Sequence, residues 1–452
     1  MEDADMYDIT KPAVFDRSTE SYKYTMYYPT QGSDLNGFSD LRITIQGKDY
    51  YYHPSNAYLT IKGDLFKKTG NDVRYAGTEL IALVNLAPLF LFSKMTLRIG
   101  GRDVESIDNV GQTVSSILHL MNTSSVAKAE GLSYCWYPDS TDKAEATNKG
   151  FDARQKYLFT EPATKGRFSF SIPLRYIFGF CFDYDKLIFG YDMELVLIRQ
   201  NHYYALQRKP DDAVYDAMNE MNEELLEEPN VNVEEGKIKI KSIVLSLPIA
   251  TPTTDKKVQL LEIVKNKTPI SINFRERKGL SIDIAQGLQS FDWQFSTISL
   301  PKRPKYLFVL FQDHTVTNQT ESYAVFNNAN VDRMSVSVNN TTFSLHEHFP
   351  ADFAENDFNE FYRAFVDVRQ NLFGLDNVIN QSHVSPSLFK TLYTIYSFDL
   401  SRHREEFQDQ TISSILHIHF KAALAKTLRC FVVTLSEKEI VLTGDGRQIA
   451  TI

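Results

Sequence analysis

Ten histidines and 57 acidic residues supply raw material for metal or acid–base chemistry, so their spacing decides what the chain can do. His417 and His419, separated by Ile418, point to one face of a strand and offer two metal ligands, but no third ligand is identifiable nearby. His346-Glu347-His348 is denser, yet lacks the i,i+4 spacing that a helical zinc site needs. Asp183 and Asp185 are an i,i+2 carboxylate pair. General acid–base catalysis needs such a pair positioned and its pKa values driven apart, whereas the flanking FCFDYDK reads as a strand end. There is no nucleophile elbow, phosphate loop or dinucleotide fingerprint. Gly100-Gly101-Arg102-Asp103 is a turn, because it does not lead from a strand into a helix N-terminus. The expectation is a chain with no catalytic, cofactor-binding or metal-ligating residues, and therefore not an enzyme. Cys135, Cys181 and Cys430 form no CxxC pair and read as reduced, buried thiols of a protein that folds inside a cell.

Composition fits a structural role. The 452 residues suggest two or three domains, and 43% hydrophobic with 23% charged is an ordinary globular balance. With 31 Phe and 24 Tyr against two Trp, Phe and Tyr carry the large-side-chain packing and favour strands. The formal net charge of −9 argues against general nucleic-acid binding. The first residues, MEDADMYDITKPAV, lack the pattern of a signal peptide. The apolar run near 81–92 is broken by Asn85 and Pro88 and is too short to span a bilayer. The sequons at Asn266 and Asn318 read as chance.

Residues of these types are held by strands. The ordering stretch is Gly236–Ala250. Ile238 and Ile240 alternate with Lys237, Lys239 and Lys241, then the apolar set shifts phase to Ile243, Leu245 and Leu247, which predicts a bulge near Ser242. The three lysines would guard a sheet edge. Before this seam, strands are predicted at 41–45, 58–62, within 81–99, at 167–174 and at 187–198, the last of them central. Gly100-Gly101 is expected to turn a hairpin, and Asn109–Met121 to form a helix capped by Asp108 or Asn109. Thr123–Thr164 reads as a polar surface excursion. After the seam, strands are predicted at 270–275, 291–298, 306–311, 334–338, 393–400, 412–420 and 429–435. Asn339-Asn340 stands as a turn, a helix is expected over 353–372, and a closing hairpin over 440–449 turns at Asp445-Gly446.

Four polar segments are open to two readings each. Residues 1–38 form an arm that docks elsewhere or stays loose. Pro210–Glu235 holds ten acidic residues and no basic one, and is either a docking loop or a solvated excursion containing a helix over 215–226. Phe274–Lys278 and Lys302–Lys305 are basic patches, either solvated or in contact with an acidic partner such as the 210–235 segment of another copy.

Similar element orders on both sides of the seam predict an all-β chain of two antiparallel sandwiches with a helix inserted in each half. The eight-stranded jelly roll is the sandwich of this type. The expected division is an arm at 1–38, a first sandwich at 39–235 that includes the acidic excursion 210–235, and a second at 236–452.

Several stretches together carry a family resemblance: QGKDYYYHPSNAYL at 46–59, IALVN at 81–85, GGRDVES at 100–106, NVGQ at 109–112, NKGF at 148–151, FSFSIPL at 168–174, IFGF at 177–180 and DYDK at 183–186. This resembles the major capsid proteins of Polinton/Maverick-type elements and their adintovirus relatives, most strongly over 40–200. The resemblance implies a double jelly roll, a homotrimer forming a pseudo-hexameric capsomer of an icosahedral shell, neighbouring capsomers and a single jelly-roll penton protein as partners, and a place in the virion capsid. The absence of a basic tail departs from a genome-packaging protein. The alternative is a jelly-roll module that recognises glycans or a protein, such as a capsid gene retained by a host.

Overall fold

A computed structural model describes residues 18–30, 34–37, 39–47, 50–159, 165–209, 233–295, 304–313, 319–339, 341–375, 380–401, 414–443 and 449–451. The first half contributes eight core strands: β1 (Thr19–Tyr27), β2 (Asp40–Ile45), β3 (Tyr58–Lys67), β4 (Phe92–Ile99), β5 (Arg102–Asp108), β6 (Arg167–Pro173), β7 (Met193–Arg199) and β8 (Gly236–Pro252). The second contributes β9 (Pro269–Ile284), β10 (Ser290–Phe295), β11 (Pro304–Asp313), β12 (Val331–Val338), β13 (Thr341–Leu345), β14 (Tyr396–Asp399), β15 (Ser414–Phe420) and β16 (Leu428–Thr443).

Each half forms two antiparallel sheets. In the first, the orders are β1-β8-β3-β6 and β2-β7-β4-β5; in the second, β9-β16-β11-β14 and β10-β15-β12-β13. Counted within a half, both read first-eighth-third-sixth and second-seventh-fourth-fifth. That is the same jelly-roll connectivity twice, a double jelly roll as expected. The helices used below are α1 (Val110–Met121), α2 (Lys149–Phe159), α3 (Gly179–Asp183), α4 (Thr254–Lys265) and α5 (Asn359–Phe373).

Alternation explains the strands. β2 exposes Asp40, Arg42 and Thr44 and buries Leu41, Ile43 and Ile45. In β8, Ile238 and Ile240 face inward, the register against β3 shifts between Ile240 and Ser242, and Ile243, Leu245 and Leu247 continue the inner face. The extra residue is the predicted bulge, and it keeps one apolar face on the core through the phase change. β7 is central, between β2 and β4. Gly100 and Gly101, with φ of 57° and 78°, turn the β4–β5 hairpin in the left-handed region that glycine tolerates.

The division of the chain needs correcting. β8 is bonded to β3 and β1, so it is the eighth strand of the first jelly roll and not the opening of the second. The halves part at α4, not at 235/236. Likewise β1 lies inside the expected 1–38 arm yet completes the first sheet. Both errors have one cause: the pairing partners lie far off in sequence, Leu245 opposite Tyr27 and Gly236 opposite Lys67, where local periodicity carries no trace of them. Lys237, Lys239 and Lys241 do not guard an open edge. They reach the Gly70 carbonyl, Asp72 and Asp64, and the far side of β8 is closed by side-chain amides. Asn36 brackets the N–H and C=O of Ile240, and Gln319 brackets those of Gly236, at 2.7–3.0 Å. The acidic segment at 210–232, the residues before 18, Lys302 and Arg303, Asn340 and the Asp445-Gly446 turn lie outside the described residues.

Thr123–Thr164 is also not a surface excursion where it is described. Tyr134 and Trp136 are fully buried, as is Phe151 within α2, and Leu158 of α2 joins the first core. Its polar residues satisfy one another. The Asn148 amide donates to Asp139 and to the carbonyls of Thr141 and Lys143, while buried Arg154 pairs with buried Asp139 at 2.6 Å and donates to the Leu83 carbonyl. Anchors held one by one leave no period to read. Removing one partner of a buried pair strands the other charge, so Asp139→Ala should cost about 3–5 kcal/mol, whereas Lys156→Ala, which breaks the exposed pair with Asp152, should cost under about 0.5 kcal/mol. Chemical denaturation of the two variants checks the contrast.

Candidate functional site

The residues with chemical potential are dispersed into structural pairs. His417 Nδ1 meets Asp292 at 2.8 Å and His419 Nδ1 meets Asp332 at 2.6 Å, both across neighbouring strands on the outer face of the β10-β15-β12-β13 sheet. The His346-Glu347-His348 trio separates. His346 is buried, its N–H donating to Glu360 and its ring bonding the Phe349 carbonyl, while Glu347 lines the groove beside His417. Among the described residues, no group of three His, Cys, Asp or Glu is placed to hold a metal ion. All three cysteines are buried, and burial raises each thiol. Asp185 meets His53 Nε2 at 2.7 Å, and Asp183 turns away from it into the contact between the two jelly rolls.

That contact is where the buried charge gathers. Glu105, at the inner face of β5, is 0% exposed. Its carboxylate accepts the backbone N–H groups of Gly179 (3.1 Å) and Phe180 (2.9 Å) in α3, and of Arg277 (2.8 Å) in β9. One carboxylate thus satisfies donors from both halves. The Arg277 guanidinium, also buried, runs back to the carbonyls of Tyr176 and Ile177. Two residues earlier, Arg275 clasps both carboxylate oxygens of Asp183, and Asp183 also accepts the Arg275 N–H at 2.8 Å. Lys438 of β16 donates to the Val104 carbonyl at 2.6 Å. The FRERK segment is therefore neither solvated nor waiting for another copy: its acidic partners are Asp183 and Glu105 of the same chain. Its signal was legible as Arg275, Arg277 and Gly279 on one face of a strand. Glu105, one of three carboxylates in the polar strand RDVESID, carried no local sign of its role.

Close backbone approach makes the joint. A Cβ on Gly179 would fall on the Arg275 carbonyl oxygen, and one on Gly279 would fall on Thr113 Oγ1 and the Asp108 carbonyl. Neither glycine has a positive φ; each is needed for space.

Helix α1 is shared by the two cores. Val114 and Leu118 belong to the first core, Ile117 and Leu120 to the second. Eleven of its twelve residues are buried, Gln112, Thr113, Ser115, Ser116 and His119 among them, so the helix is covered on all sides. Asn109 precedes it at φ 50° without a side-chain cap, and Thr113 instead donates to the Asp108 carbonyl. From the same helix His119 reaches His383 of the second half, Nδ1 to Nε2 at 2.7 Å, among Trp136, Phe326 and Tyr393. Burial drives His383 down to about 4 and His119 well below its ordinary value. Burial pushes Glu105 up to about 7, against the pull of Arg277 and the three N–H donors.

Two jelly rolls locked side by side by a buried, two-sided polar joint define a double jelly-roll protein. The chain matches the double jelly roll-like domain over residues 81–438, and it belongs to that family. Solved structures agree on the fold at 10% identity. The structure of the Sputnik virophage superposes with a TM-score of 0.60 over 98% of this chain and 90% of that one. The mavirus major capsid protein gives 0.56 over 99% and 93%, and the Faustovirus major capsid protein 0.54 over 96% and 92%. No curated protein matches the sequence.

The joint is testable. Gly179→Ala should force the α3 and β9 backbones apart, at about 1–3 kcal/mol or more, and expose the joint to limited proteolysis. Its pH response runs in two directions. The joint histidines titrate lower in the folded chain than their ordinary 6.5, so the unfolded chain takes up more protons and stability falls as the pH drops from about 6.5 to about 4. Glu105 titrates above its ordinary 4.5, so its contribution is present below that value and is lost as the pH rises through about 7. Relative to the wild type, His383→Asn should therefore gain melting temperature as the pH is lowered across the first window, and Glu105→Gln as it is raised across the second.

Proposed function

We propose that the chain is a major capsid protein: a structural subunit, without catalytic activity, that forms homotrimers acting as pseudo-hexameric capsomers of an icosahedral virion shell. The observation that carries this is the same eight-stranded connectivity built twice and fixed side by side in one chain. One sandwich is one wedge, so three chains supply six wedges around an axis, and a closed cyclic assembly leaves no complementary patch unused. Two of the solved structures sharing the fold are themselves major capsid proteins, of mavirus and of Faustovirus. The motifs over residues 40–200 favour the Polinton/Maverick type, and a single jelly-roll penton protein fits as the partner at the shell's corners. The net charge of −9 supports a shell component that leaves genome neutralisation to other proteins and reads no nucleic-acid sequence. No helix among the described residues is long and apolar enough to cross a membrane.

The test is light scattering coupled to chromatography on the purified chain, followed by electron microscopy at raised concentration. Trimers with a hexagonal outline, or closed shells, are expected. A strict monomer over a range of salt and pH would overturn the reading in favour of a binding module.

A further inference from the structure

The two jelly rolls also meet around a cavity of about 190 Å³. Its walls are apolar: Tyr184 and Phe189 from the first jelly roll, Ile270 and Leu442 from the second, and Leu260 and Ile263 from α4, the linker between them. That space is more than ten times what one water needs, about 10–15 Å³, and such walls offer water few partners. Voids of this size are uncommon in a close-packed protein.

Helix α4 is short of cover on the same side. None of its described side chains is buried, and Val258 and Leu261 are 55% and 49% exposed. A twelve-residue helix owes most of its stability to the packing of its apolar face, so α4 lacks a partner among the described residues. Lys256 also lines the cavity. Its ammonium donates to the Gln259 amide oxygen at 3.2 Å and meets no carboxylate among the described residues.

The chain reaches this cavity at Ser18, which lines it. The Ser18 carbonyl accepts the Thr253 N–H at 2.9 Å, one residue before α4 starts. Ahead of Ser18 the sequence reads Ala13-Val14-Phe15-Asp16-Arg17. An extended chain covers up to about 3.6 Å per residue, so Phe15 reaches to about 11 Å from Ser18. Leu260 lies six residues on from Thr254, about 9 Å along the helix axis. The charges are complementary as well. Residues 1–17 carry five carboxylate side chains and two basic ones, whereas 254–267 carry four lysines and two carboxylates.

We propose that Val14 and Phe15 fill this cavity in their own chain, with Asp16 beside Lys256, so that the segment ahead of β1 fastens the linker to both jelly rolls. Attachment at Ser18 gives the segment a high effective concentration at the cavity, an advantage that a free peptide or lipid lacks. The contact lies within one chain, so it holds whether or not the chain trimerises.

The experiment places the photo-crosslinker p-benzoylphenylalanine at position 15 and irradiates a mixture of isotopically heavy and light full-length chains. Mass spectrometry should find position 15 joined to peptides spanning 254–265, in heavy–heavy and light–light pairs only. In parallel, Phe15→Ser should speed amide hydrogen exchange over 254–265 by about tenfold or more and leave exchange in β7 and β11 unchanged. Heavy–light crosslinks would overturn the assignment in favour of a segment exchanged between copies. Crosslinks mapping elsewhere, or exchange over α4 that Phe15→Ser leaves unaltered, would overturn it outright.

Discussion

The Glu105 carboxylate is the constraint on which the arrangement of the molecule depends. A buried carboxylate is tolerated only when its oxygens are occupied, and here the donors come from two jelly rolls at once. The three N–H groups are fixed by backbone, so they meet on one carboxylate only when α3 and β9 lie in a single relative position. Gly179 and Gly279 permit the approach, and the Arg275–Asp183 clasp beside it sets the direction along the strand. A joint of apolar side chains alone would tolerate sliding; hydrogen bonds from backbone to carboxylate do not, because a small shift leaves a buried donor unpaired. The charges thus contribute specificity of angle, while the apolar contacts around them supply adhesion.

The two cores are correspondingly not independent. Ile272 and Phe274 of β9, with Ile440 and Leu442 of β16, pack into the first core, and α1 sends Ile117 and Leu120 into the second. The sandwiches exchange elements across their boundary, and the His119–His383 pair sits where they cross. Rigid coupling of this kind holds the two halves at a fixed angle.

What the sequence made legible was whatever depends on near neighbours. Alternation located most strands within a few residues, the phase change in β8 located its bulge, and Gly100-Gly101 located a hairpin. The helical spacing of Val114, Ile117, Leu118 and Met121 located α1, though not its position between two cores. Helix α5 was placed with its buried face of Phe361, Phe365 and Val368, but its start came six residues early because Phe353 and Phe358 belong to the preceding turn. Other features were hidden for a physical reason. The membership of β1 and β8 in one sheet is a pairing across more than two hundred residues. The burial of Arg154 on Asp139, and of Glu105 on β9, depends on partners that only the folded chain brings near. The donors that occupy Glu105 lie 74 to 172 residues away in sequence, so the joint was the least legible part.

The duplicated connectivity sets a last contrast. The same edge strand occurs twice, yet β9 is dressed with arginine and glycine and β1 with tyrosine and methionine. Burying paired charge demands close geometric control, and contact within one chain supplies it, since the partners are tethered and their effective concentration is high. Exposed tyrosines, half polar and already pinned to His53 and Asn56, keep an uncovered edge compatible with water. The same topological edge thus carries paired charge where the chain covers it within itself and pinned aromatics where the described chain leaves it exposed.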